Sequence, residues 1–381
     1  TFVDAITYGG GILVKKIMLV FGTRPEAIKM CPVVKELEKR ENIDSVVCLT
    51  GQHEEMLDQV MQIFHMDAKY NLHVMKANQT LSMITTNILL QLGEIYEQEK
   101  PELVLVHGDT SSSFAGALAA FYRNIPVGHV EAGLRTYNMK SPYPEEFNRQ
   151  AVDLISDLYF APTERAKAQL LKEGKDECKV FVTGNTVIDA LKSTVVADYS
   201  NEILDWAGKS KLLLMTAHRR ENIGVPMENM FRAIRRIVDE HSDVKVIYPV
   251  HKNPKVKEIA KRFFSGNDRI KLIEPLDVYD FHNFLARCYL VLTDSGGVQE
   301  EAPSLGKPVL VMRDTTERPE GVEAGTLKLV GTDEENIYKQ TEILLTDSKV
   351  YHHMSNIQNP YGDGEAARRI VDIIEEYFKE K

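Results

Sequence analysis

Short apolar runs rich in β-branched residues alternate along this chain with amphipathic stretches of roughly 12–18 residues. Apolar runs of this kind are typical of buried parallel strands, and the stretches between them of crossover helices. The predicted strands are Ile17–Phe21, Ser45–Thr50, Leu103–His107, Val127–Val130, Leu158–Ala161, Val180–Thr183, Lys211–Thr216, Lys245–Val250, Ile270–Ile273, Leu290–Thr293, Pro308–Met312 and Thr326–Val330. The predicted helices include Ala27–Arg40, Leu81–Glu99 and Met227–Glu240. The pattern therefore predicts an α/β fold.

The strands fall into two groups of about six, with the segment Asp189–Lys209 at the division. We predict two Rossmann-like, doubly wound domains facing each other across a cleft: residues 16–185 and residues 186–363. The last helix, 364–381, is expected to pack back on the first domain. Residues 1–15 lack the basic start of a signal peptide and are expected to be a leader that is disordered or derived from recombinant expression.

Composition and charge narrow the class of protein. The 381 residues are 43% hydrophobic and 27% charged, as in ordinary globular chains. A formal net charge of −10 disfavours general binding to nucleic acid or to an anionic membrane, so an anionic ligand needs a local cationic pocket. No apolar run is long enough to span a bilayer. The four cysteines are scattered without a C-x-x-C pair, which favours a reducing, cytoplasmic location.

Charged clusters follow six of the predicted strands at the same end. These clusters are 22–26, 107–110, 131–135, 218–221, 294–297 and 313–318. One cluster alone would be explained by helix capping, but six indicate a binding site, because open parallel sheets bind ligands at the carboxyl ends of their strands.

Two of the clusters are suited to phosphate. In the turn Ser295-Gly296-Gly297, glycines open a helix whose free N–H groups favour an anion, and Arg313 and Arg318 follow the next strand. Pro25 suits a first helical position and places Arg24 and Lys29 about one turn apart at a second helix entrance. The alternative for the first cluster is an ordinary glycine-rich turn, and the alternative for the second is a pair of solvated surface charges.

Three carboxylates, Asp109, Glu131 and Glu145, lie at strand ends or in the adjoining loop of the first domain. Crowded carboxylates tend to divide into one acid and one base, which predicts proton transfer, although each alone could be structural. His218, after the first strand of the second domain, is a candidate acid, base or phosphate ligand.

Nothing in the sequence predicts a cofactor or metal. Residues 362–367 match G-x-G-x-x-A, but Asn359-Pro360-Tyr361 precedes them instead of a strand, so a turn and helix cap is the better interpretation. There is no Walker A motif, and the histidines lack metal-ligand spacing.

Nine motifs together resemble the non-hydrolysing UDP-N-acetylglucosamine 2-epimerases of bacteria and archaea, over residues 16–379. They are GTRPEAIK (22–29), HGDT (107–110), HVEAGLRT (129–136), SPYPEEFNR (141–149), TGNTVIDAL (183–191), AHRRENIG (217–224), YPVH (248–251), TDSGGVQEEAPSLGKPVLVMRDTTERPEG (293–321) and NPYGDG (359–364). The resemblance implies the two-domain architecture of GT-B enzymes such as UDP-glycosyltransferases and glycogen phosphorylase, and a homodimer. It also implies conversion of UDP-N-acetylglucosamine to UDP-N-acetylmannosamine for surface polysaccharides, by expulsion and re-addition of UDP through a 2-acetamidoglucal.

The resemblance assigns roles by position. The catalytic positions are Asp109, Glu131, Glu145 and His218, and the UDP or substrate positions are Arg24, Lys29, Arg135, His218, Arg219, Phe281, Ser295, Gly296, Gly297, Glu301, Arg313 and Arg318. A second UDP-N-acetylglucosamine, bound as an activator, would meet Gln52, His53, Gln79, Glu145, Arg219 and His251. Two activator positions depart from the family, with Glu55 in place of Gln and Asn78 in place of Arg; loss of the Arg removes a forked cationic donor.

Three other functions remain open at this point. A GT-B glycosyltransferase would need an acceptor, a hydrolysing epimerase would release UDP and N-acetylmannosamine, and a non-catalytic UDP-sugar sensor would exchange no proton at C2. The acid and base among the three carboxylates also remain unassigned.

Overall fold

A computed structural model describes residues 14–52, 54–76 and 79–380, without the side chains of residues 54–56. The predicted leader lies outside the described residues as far as residue 13, and the first strand begins at Lys15. The chain divides into two compact units. The first contains the described residues up to Met61, His65–Val182 and the chain from Ala367 onward; the second contains Gln62–Phe64 and Thr183–Ala366.

The first unit is built on a seven-stranded parallel sheet with the order β3-β2-β1-β4-β5-β6-β7. Its strands are β1 (Lys15–Phe21), β2 (Ile43–Leu49), β3 (Tyr70–Asn71), β4 (Leu103–His107), β5 (Val127–Val130), β6 (Leu158–Ala161) and β7 (Val180–Val182). The helices that follow these strands are α1 (Arg24–Leu37), α2 (Glu54–Ile63), α3 (Leu81–Glu99), α4 (Ser111–Phe121), α5 (Glu145–Ile155) and α6 (Glu164–Lys172).

The second unit repeats the plan with a six-stranded parallel sheet of order β10-β9-β8-β11-β12-β13. Its strands are β8 (Lys211–Thr216), β9 (Val244–Pro249), β10 (Ile270–Ile273), β11 (Leu290–Thr293), β12 (Val309–Val311) and β13 (Leu327–Leu329). The remaining helices are α7 (Thr186–Thr194), α8 (Glu202–Ala207), α9 (Val225–Glu240), α10 (Pro254–Phe264), α11 (Val278–Arg287), α12 (Gly296–Ser304), α13 (Pro319–Ala324), α14 (Glu334–Thr346), α15 (Ser348–Ser355) and α16 (Ala366–Lys379).

Burial explains why the sequence marks the strands so clearly. Residues Ile17–Phe21 of β1 have no exposed surface, because helices cover both faces of the sheet. The predicted α/β fold with two Rossmann-like sheets is confirmed, and all twelve predicted strands are present with ends displaced by two residues or fewer. The prediction missed β3, which at two residues is too short to form an apolar run.

Two further observations complete the fold. Arg40 of α1 pairs with Asp372 and Glu375 of α16 at 2.7 and 3.4 Å, which ties the last helix to the first unit. Within the described part of the chain, every helix is too short or too polar to cross a lipid bilayer.

Candidate active site

Both sheets reverse their strand order at one place, between β1 and β4 in the first unit and between β8 and β11 in the second. In open α/β sheets the loops beyond the carboxyl ends of such a pair of strands form the ligand site. The loops after these four strands begin at Gly22, Gly108, Ala217 and Asp294. Four of the six predicted polar clusters, 22–26, 107–110, 218–221 and 294–297, therefore lie at the topological switch points, and the other two follow the adjacent strands β5 and β12.

A buried carboxylate, Glu26, joins the two switch-point loops of the first unit. Its Oε2 accepts hydrogen bonds from the backbone N–H groups of Gly22 and Thr23 at 2.9 and 2.8 Å. Its Oε1 accepts from the hydroxyls of Thr110 and Ser113 at 2.6 and 2.8 Å. Burial raises the pKa of Glu26 although the hydrogen bonds from Thr110, Gly22 and Ser113 oppose it. We did not predict this role, but the capping-box spacing from Thr23 to Glu26 signals it.

Glu131, at the end of β5, lies beside a lysine and a neutral histidine. Lys29 of α1 donates a short hydrogen bond to its Oε2, and His107 Nε2 lies 3.8 Å from the same oxygen. Burial lowers the pKa of His107 to about 3, and among the described residues its Nε2 has no hydrogen-bond partner. Glu131 itself has φ of +68°, a conformation that a residue with a side chain adopts at a cost and that is concentrated at functional sites.

Asp109 is held by α5, the helix that begins at Glu145. Arg149 forms a short ion pair with the Asp109 carboxylate, and Asn148 donates to its backbone oxygen at 2.9 Å. Glu145 is half-buried one turn before Arg149 on the same helix. A Cβ placed on Gly108 would lie 3.6 Å from Glu131 Oε1, so Glu131 reaches the turn that carries Asp109. The first unit thus brings Asp109 and Glu131 to adjoining loops, and the helix that begins at Glu145 contacts the first of these loops.

Two predicted cationic contacts of the first unit differ in their surroundings. Arg24 is the half-buried first residue of α1 and follows the N-cap Thr23. Arg135 has no exposed side-chain surface, and its guanidinium pairs with Asp153 at 2.8 Å and with Glu173 at 2.7 Å. These pairs hold the loop after β5, and the substrate contact assigned to Arg135 from the resemblance stays a prediction.

In the second unit, the buried carboxylate of Asp294 holds the loop after β8. It accepts hydrogen bonds from the backbone N–H groups of His218 and Arg219 and from the Asn222 amide, at 2.9–3.1 Å. His218 Nδ1 lies 3.4 Å from the same carboxylate, and its side chain is 42% exposed. The His218 ring stacks on that of His251 with centroids 5.8 Å apart. Sequence reasoning placed Asp294 in a polar cluster but gave it no role.

The amino end of α12 has the features that favour an anion. Ser295 is the N-cap, and among the described atoms its hydroxyl makes no capping bond to the N–H groups that open the helix. A Cβ on Gly296 would lie 4.0 Å from Arg219 Nη2, which places a guanidinium beside these N–H groups. Gly297 is exposed, and Glu301 Oε1 lies 3.5 Å from its Cβ position. Backbone donors and a cation therefore converge here.

The other predicted UDP residues of the second unit are held in ion pairs or in the core. Arg313 makes a forked pair with Glu317 at 2.7 and 2.9 Å, and this pair lowers the pKa of Glu317 to about 2. Arg318 forms a short pair with the buried Glu300. Phe281 of α11 is half-buried and packs against the apolar core on that side of the sheet.

The predicted activator residues are only partly described. Gln52 accepts a hydrogen bond from the Ser112 hydroxyl at 2.9 Å, and Gln79 accepts from the Lys76 N–H at 2.7 Å. Burial, ahead of the charge of His218, lowers the pKa of His251. His53 and Asn78 lie outside the described residues, as does the side chain of Glu55.

Comparison with known proteins identifies the family of the chain. A model of the family described as UDP-N-acetylglucosamine 2-epimerase matches residues 35–375. A Bacillus subtilis protein named UDP-N-acetylglucosamine 2-epimerase is 63% identical over 357 residues, which cover 94% of each chain.

Solved structures of similar sequence support the same family. A crystal structure from Listeria monocytogenes, 54% identical, covers 97% of this chain and 98% of its own with a TM-score of 0.93. The UDP-GlcNAc 2-epimerase of Neisseria meningitidis, solved with UDP-GlcNAc bound, is 48% identical, covers 95% of this chain and 100% of its own, and has a TM-score of 0.85. The chain belongs to the UDP-N-acetylglucosamine 2-epimerase family.

Proposed function

We propose that this protein interconverts UDP-N-acetylglucosamine and UDP-N-acetylmannosamine without net hydrolysis. UDP is expelled from C1, C2 loses its proton to give a 2-acetamidoglucal, a proton returns to the other face, and UDP adds back. The observation that carries the proposal is the set at the ends of β4 and β5. There Glu131 meets Lys29 and His107, and Asp109 meets Arg149, so two charged carboxylates occupy adjoining loops.

The chemistry of the sugar favours elimination. The C2 hydrogen of an N-acetylhexosamine is next to no carbonyl group, so direct removal is very unfavourable. Loss of the anomeric diphosphate creates a path, and it requires proton-transfer groups together with cations that stabilise the leaving group. Asp109, Glu131 and Glu145 are the proposed proton-transfer groups. The scheme uses no metal or redox cofactor.

The second unit supplies the features that a departing diphosphate needs. The open amino end of α12 offers N–H groups at Gly296 and Gly297, and Arg219 lies beside them. His218 is exposed and is held by Asp294 through its backbone, so its ring is available to the diphosphate or to a proton. In this proposal Phe281 contacts uracil and Glu301 accepts from the ribose hydroxyls.

We also propose that the protein is a homodimer that works in the cytoplasm and supplies surface-polysaccharide synthesis. Support for a dimer comes from large apolar side chains left exposed on three neighbouring helices of the first unit. These are Leu90 of α3, Phe121 and Tyr122 at the end of α4, and Leu154 of α5, each at least half exposed. Light scattering of the wild type and of Leu154→Glu tests this, and a monomeric wild type would refute it.

The function is tested by incubating the protein with UDP-N-acetylglucosamine alone in deuterated water and following proton NMR. The proposal predicts both UDP-sugars at equilibrium, deuterium at C2 and no stoichiometric release of UDP. Free UDP and N-acetylmannosamine that accumulate in step with turnover would support the hydrolysing reaction. A requirement for an acceptor would support a glycosyltransferase, and an unchanged substrate would refute an epimerase of any kind.

A further inference from the structure

The first unit contains a buried histidine, His129 of β5, whose two ring nitrogens both have partners. Its Nδ1 lies 2.6 Å from Asp153 Oδ1, and its Nε2 lies 2.8 Å from the backbone oxygen of Gly108. His129 and Asp153 have no exposed surface. A carbonyl oxygen only accepts hydrogen bonds, so Nε2 must carry a proton.

The proton on the other nitrogen follows from the state of Asp153. Its Oδ2 accepts from the Gly133 N–H at 3.2 Å and pairs with Arg135 at 2.8 Å. Burial alone would raise the pKa of Asp153, but His129 and Arg135 together hold it below its ordinary value. Two donors independent of His129, the Gly133 N–H and the permanently charged Arg135 guanidinium, are directed at Oδ2, which fits an ionised carboxylate that only accepts. Nδ1 must then carry a proton as well.

The surrounding charges balance such a cation. Arg135 bridges Asp153 and Glu173, so the His129 ring and the Arg135 guanidinium face two carboxylates. His107 of the neighbouring strand β4 is neutral because burial holds its pKa near 3. The remaining titratable groups that face Asp153 are Tyr159 and Lys175.

The same pair fixes the backbone of both catalytic loops. The Gly108 carbonyl bound by His129 immediately precedes Asp109, and the Gly133 N–H bound by Asp153 comes two residues after Glu131. Glu131 has a φ of +68°, which a residue with a side chain adopts at a cost, so its turn needs an external restraint to keep it. We propose that His129 is held as an imidazolium and acts, with Asp153, as a positioning residue for Asp109 and Glu131.

The protonation state is tested on the full-length wild type labelled with ¹⁵N-histidine. Of the 11 histidines, the signals of His129 are those missing from His129→Gln. Both of its ring nitrogens should carry a proton at pH 7, whereas an unprotonated ring nitrogen would resonate far downfield. A neutral ring, including one that accepts from a protonated Asp153, would overturn the imidazolium.

The positioning role rests on the proposed function and is tested separately with Asp153→Asn, which removes the charge and keeps the shape. We expect kcat to fall roughly 100-fold, the effect of displaced catalytic groups, with KM changed less than about 3-fold. Asp157→Asn is the matched control, because Asp157 binds the Val127 N–H at the opposite end of β5, at 3.1 Å. Near-normal kcat in a folded Asp153→Asn variant would refute positioning. A wild type without epimerase activity would refute the proposed function and leave the NMR result standing.

Discussion

Lys29 donates a hydrogen bond to Glu131 across 102 positions of sequence. The two side chains are only 12% and 11% exposed, so each stabilises the charge of the other where water screens little. The pair joins the first helix to the end of β5. Glu131 is thereby kept as a carboxylate next to the turn that carries Asp109, where the proposed proton transfer takes place.

Removing a proton-transfer group should lower turnover by orders of magnitude and spare nucleotide binding. We expect Asp109→Asn, Glu131→Gln and Glu145→Gln each to lower kcat by about 10²–10⁴-fold, the usual contribution of such groups. UDP affinity, measured by titration calorimetry, should change little, because the proposed UDP contacts lie mostly in the second unit.

The control for these carboxylate variants is Glu102→Gln. Glu102 pairs with Lys15 at the amino end of β1 and is 41% exposed, so its loss should leave kcat nearly unchanged. Near-normal turnover in all three test variants would show that the carboxylate assignment is wrong.

The neutral His107 predicts how stability depends on pH. Its pKa is about 3 in the folded protein and about 6.5 in the unfolded chain, so between these values the unfolded chain binds the extra proton. Stability should therefore fall as pH decreases through this window, by about 1.4 kcal/mol per pH unit from this residue. Urea unfolding followed by circular dichroism at pH 7.5 and 5.0 measures the loss.

In His107→Asn that loss should shrink by about 2 kcal/mol, because the titrating group is gone. His352→Asn, on an exposed helix surface, serves as the control and should keep the wild-type pH dependence. An unchanged pH dependence in His107→Asn would mean that folding does not lower the pKa of His107.

Arg318 has two expected roles, and one substitution tests both. Arg318→Ala should weaken UDP binding at least tenfold if its guanidinium contacts the diphosphate. It should also destabilise the protein by about 3 kcal/mol, because the buried Glu300 loses its ionic partner. Arg232→Ala removes an exposed arginine that pairs with Glu334 and should do neither. Unchanged UDP affinity in Arg318→Ala would remove this residue from the pocket.

Gly22 lies where the backbone passes very close to neighbouring side chains. A Cβ there would lie 1.7 Å from Thr50 Oγ1 and 2.7 Å from Ser112 Oγ. Gly22→Ala should therefore lower the free energy of unfolding by about 2 kcal/mol or more through overpacking. In a Thr50→Ala background, which lacks Oγ1, the stability lost on introducing Gly22→Ala should be smaller than in the wild type. A Gly22→Ala variant as stable as wild type would contradict this packing.

The sequence predicts the sheets well because of how they are buried. A parallel sheet covered by helices on both faces requires continuous apolar strands, and Ile17–Phe21 of β1 and the whole of β4 are buried runs. The carboxyl ends of those runs also locate the polar loops, so Asp109 and Glu131 are found without coordinates. By contrast, β3 leaves no pattern, because two residues carry no periodicity.

Pairing between side chains is what the sequence does not predict. Arg149 reaches Asp109 from 40 positions away, and no local pattern signals it. Arg135 follows β5 as a substrate contact would, but its direction into the interior toward Asp153 depends on the packing of α5. Such partners become visible only when the helices are placed on the sheet.

The central claim is that UDP leaves C1 and returns, and bridging ¹⁸O tests it most directly. UDP-N-acetylglucosamine labelled at the oxygen between C1 and the β-phosphorus is incubated with the protein, and the nucleotide sugars are followed by ³¹P NMR. If the C1–O bond breaks reversibly, the label moves into non-bridging positions of the β-phosphate as UDP-N-acetylmannosamine forms. Epimerisation with the label retained wholly in the bridge would contradict the account.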